Sequence, residues 1–404
     1  MKIMKRLLLS LLLFSHLSFD FAQEVVLAVS NPGDRQRQEV VETDYRAICR
    51  KLDISPGTPI VVYNAFGQEQ VYQITFDGLL LLDVAVQPHG TAVYTMTKGT
   101  PAPFRQSAKG KVYPERADDL TWENDRGIYR MYGPALQRSG EKAFGTDIWV
   151  KNTPDLVVEE RYRQHMWGVG QRDSLNRIGR KKEADDIYMA TSFHHDHGYG
   201  LDCYAVGASL GCGAPALMKD GHLVLPYCWK ECEIRDNGPL RFTAELTYNI
   251  TEDGITEHRL VRLDKGSHFN RITVGYDGIT QPMDFATGVV LHSEDHVVLD
   301  SGKRYVLYAD PTENPNVNQS QIYVGTLFPD GVDETILYPP TGLGSGAPRH
   351  AIGLIHQYNS KPYTYYFGSA WSGYDVRTMA QWQLTADEFL QNLTNPLIIK
   401  LNSE

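Results

Sequence analysis

From Thr243 onward the chain reads as a train of strand-length segments cut by acidic-glycine turns, a pattern that points to an antiparallel sheet. Residues 244–250, 256–263, 269–276 and 288–291 are rich in β-branched, aromatic and leucine side chains. Between them stand the turn signals Glu252, Asp253 and Gly254, then Asp264, Lys265 and Gly266, then Asp277 and Gly278. Such short spacing suits hairpins, because glycine and aspartate supply the backbone conformations that tight reversals need. The same texture occurs earlier, at 59–65, 70–77 and 79–86, around Phe66-Gly67 and Asp77-Gly78. Helical periodicity is weak, with short candidates at 155–168 and at 385–393, where Thr385 is placed to cap and Glu388 follows three residues on. No internal repeat is visible, which argues against a solenoid or a regular propeller.

With 404 residues, 42% hydrophobic and 22% charged, the chain can bury one large core, or a large and a small one. A turn-prone, soluble stretch at 98–111 marks a boundary, so the expected organisation is a leader at 1–22, a small β-sandwich at 23–104 and a large sandwich at 105–404. One continuous sandwich is the alternative. The leader has three cationic residues within Met1 to Arg6, an apolar run from Leu7 to Phe14 too short to span a bilayer, and Ala22 for cleavage. It reads as a secretory signal peptide, and the protein is expected in the periplasm or outside the cell. No transmembrane segment follows; the longest later apolar run, Leu79–Val86, is strand-sized and broken by Asp83. A net charge of -10 argues against nucleic acid and anionic membrane surfaces as partners.

Five cysteines in an exported chain leave at least one unpaired, so the core rather than a disulfide framework must hold the fold. Cys203 with Cys212, or Cys228 with Cys232, could bridge. Their spacings lack the second knuckle of a structural zinc site, and no cofactor or metal is expected.

Residues 192–213 (SFHHDHGYGLDCYAVGASLGCG) pack three histidines and two tyrosines among glycines. Imidazoles and phenols move protons near neutral pH, and glycines let a ligand approach the backbone. Read as a strand, His195 and His197 share a face that Tyr199 continues, a spacing that suits proton transfer and would equally suit two metal ligands. Satisfied histidines in a glycine-rich hairpin are the plain alternative. Residues 120–136 mix Trp122, Tyr129 and Tyr132 with Glu123, Asp125, Arg126 and Arg130. Aromatic faces stack on sugar rings and guanidinium forks bind carboxylates at two points. Alternation along a strand would put Trp122, Asn124, Arg126 and Ile128 on one side; a structural ion pair is the competing reading for the arginines.

Four motifs in order carry a family resemblance: WENDRGIYRMYGPAL at 122–136, GTDIWVK at 145–151, HHDHGYGLDCYAVGASLGCGAPAL at 194–217 and YYFGSAWSGYD at 365–375. Together they resemble a family of exported proteins long catalogued as a domain of unknown function and common in polysaccharide-utilisation clusters of Bacteroidetes. The resemblance implies a galactose-mutarotase-like, antiparallel β super-sandwich. It also implies carbohydrate chemistry beside unsaturated-uronyl hydrolases, including an oligosaccharide dehydratase that eliminates water from a terminal uronic acid.

Such an elimination needs the carboxylate neutralised, a base for the C5 proton and an acid for the C4 oxygen. Our assignment gives the clamp to Arg126 or Arg130, the base to a histidine among His194, His195 and His197, and the acid to Tyr199. His292, which follows an apolar strand in FATGVVLHSED (residues 285–295), is a further catalytic candidate. Trp122, Tyr132, His194 and Trp371 complete the expected substrate contacts. No phosphate loop, and no dinucleotide fingerprint that follows a strand and opens a helix, is present in the sequence. The carboxylates Glu123, Asp125, Asp196, Asp202, Glu294 and Asp375 keep a glycoside hydrolase open. A sugar epimerase and a non-catalytic glycan-binding protein stay open beside it.

Overall fold

A computed structural model describes residues 23–225, 227–249, 254–293, 295–311, 320–339 and 349–403. The leader at 1–22 and Glu294 lie outside them. The fold is mainly β and every sheet is antiparallel. An eight-stranded sheet runs in the order Glu231–Asn237, Arg241–Asn249, Thr256–Asp264, Phe269–Asp277, Tyr363–Trp371, Ile322–Leu327, Tyr305–Asp310, Val297–Leu299. A five-stranded sheet (His222–Val224, Cys212–Lys219, Met283–Leu291, Arg349–Tyr358, Glu334–Tyr338) faces it. The two enclose one core that includes Phe242, Val261, Ile272, Val289, Val324 and Phe367. Strand Thr256–Asp264 buries every second side chain, as a sheet with one wet face requires. The expected super-sandwich is thus present.

A four-stranded sheet, Asp147–Trp149, Ile128–Met131, Asp119–Asn124 and Ala108–Tyr113, packs on the large sandwich through Trp122, which stacks on Phe242. Helix Val158–Arg177 covers its other side through Tyr162, whose ring lies 4.3 Å from Tyr113 and 5.2 Å from Trp149. All six residues of Asp119–Asn124 are therefore buried, and the strand ends at Asn124. Its side-chain oxygen accepts the amides of Arg126 and Gly127 at 2.8 and 3.0 Å, so residues 125–127 form a hairpin turn. The expected alternation through Arg126 to Ile128 does not hold.

Residues 25 to 98 build the small sandwich around Leu27, Ile48, Val62, Leu82 and Met96. The strand Ile398–Ser403, expected from sequence in the large unit, pairs instead with Val25–Ser30. We propose the small sandwich, closed by that strand, as a folding unit of its own. The late helix spans Met379–Thr394 and is capped by Thr378, whose hydroxyl accepts the Gln381 amide at 3.2 Å; Thr385 lies inside it. Among the described residues no disulfide forms, so neither of the two possible bridges is made; the Cys212 thiol is buried against the Gly368 carbonyl at 3.4 Å.

The helix pair Val158–Arg177 and Lys181–Thr191 inserts the histidine segment beside the four-stranded sheet. A Cβ on Gly168 would meet Thr191 Oγ1 at 1.7 Å, so the two helices touch where only glycine fits. No helix among the described residues is long and apolar enough to cross a membrane.

Candidate active site

The histidine segment is not a strand. It leaves helix Lys181–Thr191 as an irregular loop pinned from beneath by Arg161, whose Nη2 donates to the carbonyls of Ser192 (3.2 Å) and His195 (2.9 Å). Asp196 Oδ1 accepts the amides of Gly198 and Gly200 at 2.8 and 3.0 Å. Gly200 takes φ +95°, and a Cβ there would lie 2.0 Å from the Val150 carbonyl, so the chain can turn back onto strand Asp147–Trp149 only with glycine. The same-face argument for His195, His197 and Tyr199 therefore fails. His197 donates from Nε2 to the Ser192 carbonyl at 3.0 Å, and its ring and exposed Tyr199 open on a cleft beside Trp167. His195 is half-buried, and burial, followed by its cationic neighbours, lowers its pKa.

His194 turns the other way. Its Nδ1 lies 3.2 Å from the Asp202 carbonyl and 3.7 Å from the Asp202 carboxylate. Asp202 holds Arg130 at 3.0 Å; Arg130 also pairs with Asp147 and lies 3.7 Å from Asp119, while Tyr132 and Trp149 cover the guanidinium. Three buried carboxylates thus surround one cation. Burial raises the pKa of Asp147 and of Asp119 against the opposing pull of Arg130, because a dry site cannot carry the surplus negative charge. With its partners already in excess, Arg130 has no fork to offer a uronate. Its role as a clamp is corrected to that of a structural ion-cluster centre.

At the edge of the sandwich the two large sheets bring His292 to Asp310. His292 follows strand Met283–Leu291 of one sheet, and Asp310 ends strand Tyr305–Asp310 of the other. Nδ1 and Oδ2 are 2.6 Å apart, Asp310 is 1% exposed and His292 is 29% exposed. The Tyr308 hydroxyl accepts the amides of His292 and Ser293 at 3.1 and 2.9 Å, which fixes the backbone there. Tyr204 sets its ring edge-on to His292 at 5.9 Å. Burial holds the proton on its phenol, with Asp310 and Asp147 adding to the effect, and its hydroxyl has no hydrogen-bond partner among the described residues. His350 lies beneath, neutral, because burial pushes its pKa down to about 4; its Nε2 accepts the Leu210 amide at 3.1 Å. The arrangement is that of a base held by a carboxylate, with a proton-bearing phenol alongside.

The remaining candidates fall elsewhere. Trp122 is fully buried, stacked on Tyr129 and donating to Asn270 at 2.8 Å, and Trp371 is a core residue with Gly373 against its ring, so neither has a face for a sugar. Arg126 sits in the hairpin turn and donates to Asp375 at 2.7 Å; Asp375 also meets His268 at 3.2 Å. Among the described residues Arg126 shares no hydrogen bond or ion pair with the His292 group. Glu123 is spent on structure: it pairs with buried Lys151 at 2.9 Å and accepts the amides of Val157 and Val158 at the start of the long helix. Sequence reasoning missed Asp147, Tyr204, Asp310 and Arg161. Tyr204 and Asp147 stand inside the quoted motifs, but nothing local marks Asp310 as the partner of a histidine in another sheet. No group of three or more His, Cys, Asp or Glu among the described residues is arranged to hold a metal ion.

Fold and site together define a β-sandwich protein with a carboxylate-held histidine at the edge where its two main sheets meet. The chain belongs to the family described as Domain of unknown function (DUF4861), which it matches over residues 29–399. It is similar to uncharacterized protein P7 of Formosa agariphila, with 26% identity over 303 residues, covering 72% of this chain and 69% of that protein. Among solved structures it is similar to a protein in the glycosyl hydrolase family 38 from Enterococcus faecalis, with TM-score 0.47, 9% identity and coverage of 95% of this chain and 47% of that one. An α-mannosidase from Enterococcus faecalis V583 is similar to the same degree, with TM-score 0.47, 9% identity and coverage of 94% and 46%. The chain spans about half the length of those two structures.

Proposed function

We propose that this protein is an exported, periplasmic or secreted, carbon-oxygen lyase that eliminates water or an alcohol from a terminal uronic acid of an oligosaccharide. The observation that carries the reading is the His292–Asp310 pair: a histidine oriented through Nδ1 by a buried carboxylate, yet still open to solvent. Nε2 of His292 takes the C5 proton, and Asp310 stabilises the imidazolium that results. The His292 imidazolium then returns that proton to the C4 oxygen as the C4–O bond breaks and the C4–C5 double bond forms, while the buried Tyr204 ring packs against the imidazole. Proton, electron pair and leaving group are then accounted for. The clamp assigned from sequence to Arg126 or Arg130 is not part of this reading, and Tyr199 gives up the role of acid.

The experiment is to incubate the purified protein with uronate-containing oligosaccharides. The ultraviolet absorbance of a conjugated unsaturated uronate and the product mass are followed, with His292→Ala as the control. The expected result is absorbance and a double-bond product from the wild type and none from the variant. New reducing ends without absorbance would make it a hydrolase, an isomer of unchanged mass an epimerase, and binding alone a glycan-binding protein; each of these overturns the proposal.

A further inference from the structure

Trp167 is 55% exposed and Tyr199 46% exposed, and both line one cleft of about 480 Å³ between helix Val158–Arg177 and the histidine loop. That volume falls within the ~300–1,000 Å³ usual for small-molecule sites. Arg163, Gln164 and Trp167 stand three and four residues apart and so share one face of the helix. The core-facing side of the same helix is made by Val158, Arg161, Tyr162, His165 and Gly168. Trp167 is thus presented to water by a helix that has already buried its other face. The rim is polar: Arg163 and Gln164 both donate to exposed Glu160, and His197 and Thr191 close the opposite wall.

We infer that this cleft is a carbohydrate-binding subsite in which Trp167 and Tyr199 stack on the C–H face of a pyranose ring while Arg163, Gln164 and His197 meet its hydroxyls. A sugar ring has one apolar face edged by hydroxyls, and an aromatic floor with a rim of amide, guanidinium and imidazole groups complements it. A purely apolar protein partner would leave that rim unsatisfied. The floor is preformed. The Gly168–Thr191 contact locks the helix pair directly beside Trp167, Arg161 pins the loop at two carbonyls, and Asp196 fixes the turn that carries Tyr199. Binding therefore has little ordering to overcome.

The cleft belongs to the same substrate as the dyad, and in this respect the inference rests on the proposed function. Its far wall is the loop whose other side sends His194 to Asp202 and the Arg130 cluster. In this reading His197 and Tyr199 bind sugar units beyond the reacting one and take no part in proton transfer.

The test uses the full-length protein, its Trp167→Ala and Tyr199→Ala variants, and a size series of uronate oligosaccharides from disaccharide to hexasaccharide, followed by calorimetry and by initial rates. Both positions are exposed, so the variants should keep the wild-type melting temperature. We expect affinity for the longest oligosaccharides to fall by about tenfold or more, KM to rise with kcat unchanged, and the disaccharide to be little affected. Trp167→Phe should recover part of the loss. Equal affinities in wild type and both variants overturn the inference, as does a wild type that binds no oligosaccharide of the series. If the wild type binds through Trp167 but makes no unsaturated product, the subsite stands and the lyase reading falls.

Discussion

Replacing Asp310 by Asn probes the dyad with almost no change in side-chain volume. The carboxylate is 2.6 Å from His292 Nδ1, it is 1% exposed, and the imidazole is 29% exposed. At that distance the attraction between imidazolium and carboxylate is about 6 kcal/mol for an effective dielectric of about 20 and about 1.6 kcal/mol in bulk water. A histidine open to solvent on one side falls between the two limits, so losing the charge should raise the barrier enough to slow turnover by roughly ten-fold to ten-thousand-fold. A second effect acts in the same direction. The Asn amide can donate to Nδ1, which forces the imidazole proton onto Nε2 and leaves the base carrying a proton where it must accept one. The assay is the initial rate of ultraviolet absorbance on a uronate oligosaccharide, with the melting temperature and oligosaccharide affinity measured alongside. An Asp310→Asn protein that melts normally, binds normally and keeps its rate within about twofold would refute the assignment of His292 as base.

Two further predictions concern the scaffold. Burial lowers His350 from 6.5 to about 4, so the unfolded chain binds its proton first; this contribution to stability is intact above about pH 6.5 and is lost as pH falls towards 4, by up to about 3 kcal/mol. His350→Gln keeps an acceptor for the Leu210 amide, and its stability should fall less steeply between pH 7 and 5 by urea denaturation; parallel curves would sink the idea. Glu123→Ala leaves the buried Lys151 ammonium without its carboxylate and uncaps two amides at the start of helix Val158–Arg177, which should cost about 3–5 kcal/mol. Hydrogen exchange should then rise first in that helix, and a variant with wild-type stability would contradict the accounting.

The strands were legible because their physics is local. Period-two burial in Thr256–Asp264 and Phe269–Asp277, with the Asp264-Lys265-Gly266 turn between them, writes a half-buried hairpin directly into hydropathy. Helix Val158–Arg177 was read only at its start, for an equally physical reason: the face it buries consists of Val158, Arg161, Tyr162, His165 and Gly168, of which only two are hydrophobic. Arg161 is buried because two backbone carbonyls of the histidine loop accept its hydrogen bonds, and that compensation is invisible to a hydropathy pattern. The strand parity assumed for His195 and His197 failed on the same loop, where a carboxylate turn at Asp196 and a glycine with positive φ replace the ladder.

The same distinction between local and distant pairing explains the fate of the site residues. A chemically rich side chain announces itself in sequence, but whether it is available depends on how many partners reach it from elsewhere. Arg130 looked like a ligand and is encircled by Asp119, Asp147 and Asp202, which arrive from its neighbouring strands and from the histidine loop. Trp122 looked like a sugar platform and is closed in by Phe242 and Asn270 of the large sandwich. In the sequence His292 is only a histidine at the end of an apolar strand. It gains its chemical character from Asp310, eighteen positions away in sequence and delivered by the opposite sheet. Burial turns that encounter to use in one place and to structure in another: where three carboxylates crowd one guanidinium the group is spent on holding the sheet, and where a buried carboxylate meets a histidine that still sees solvent, a proton can be taken and given back.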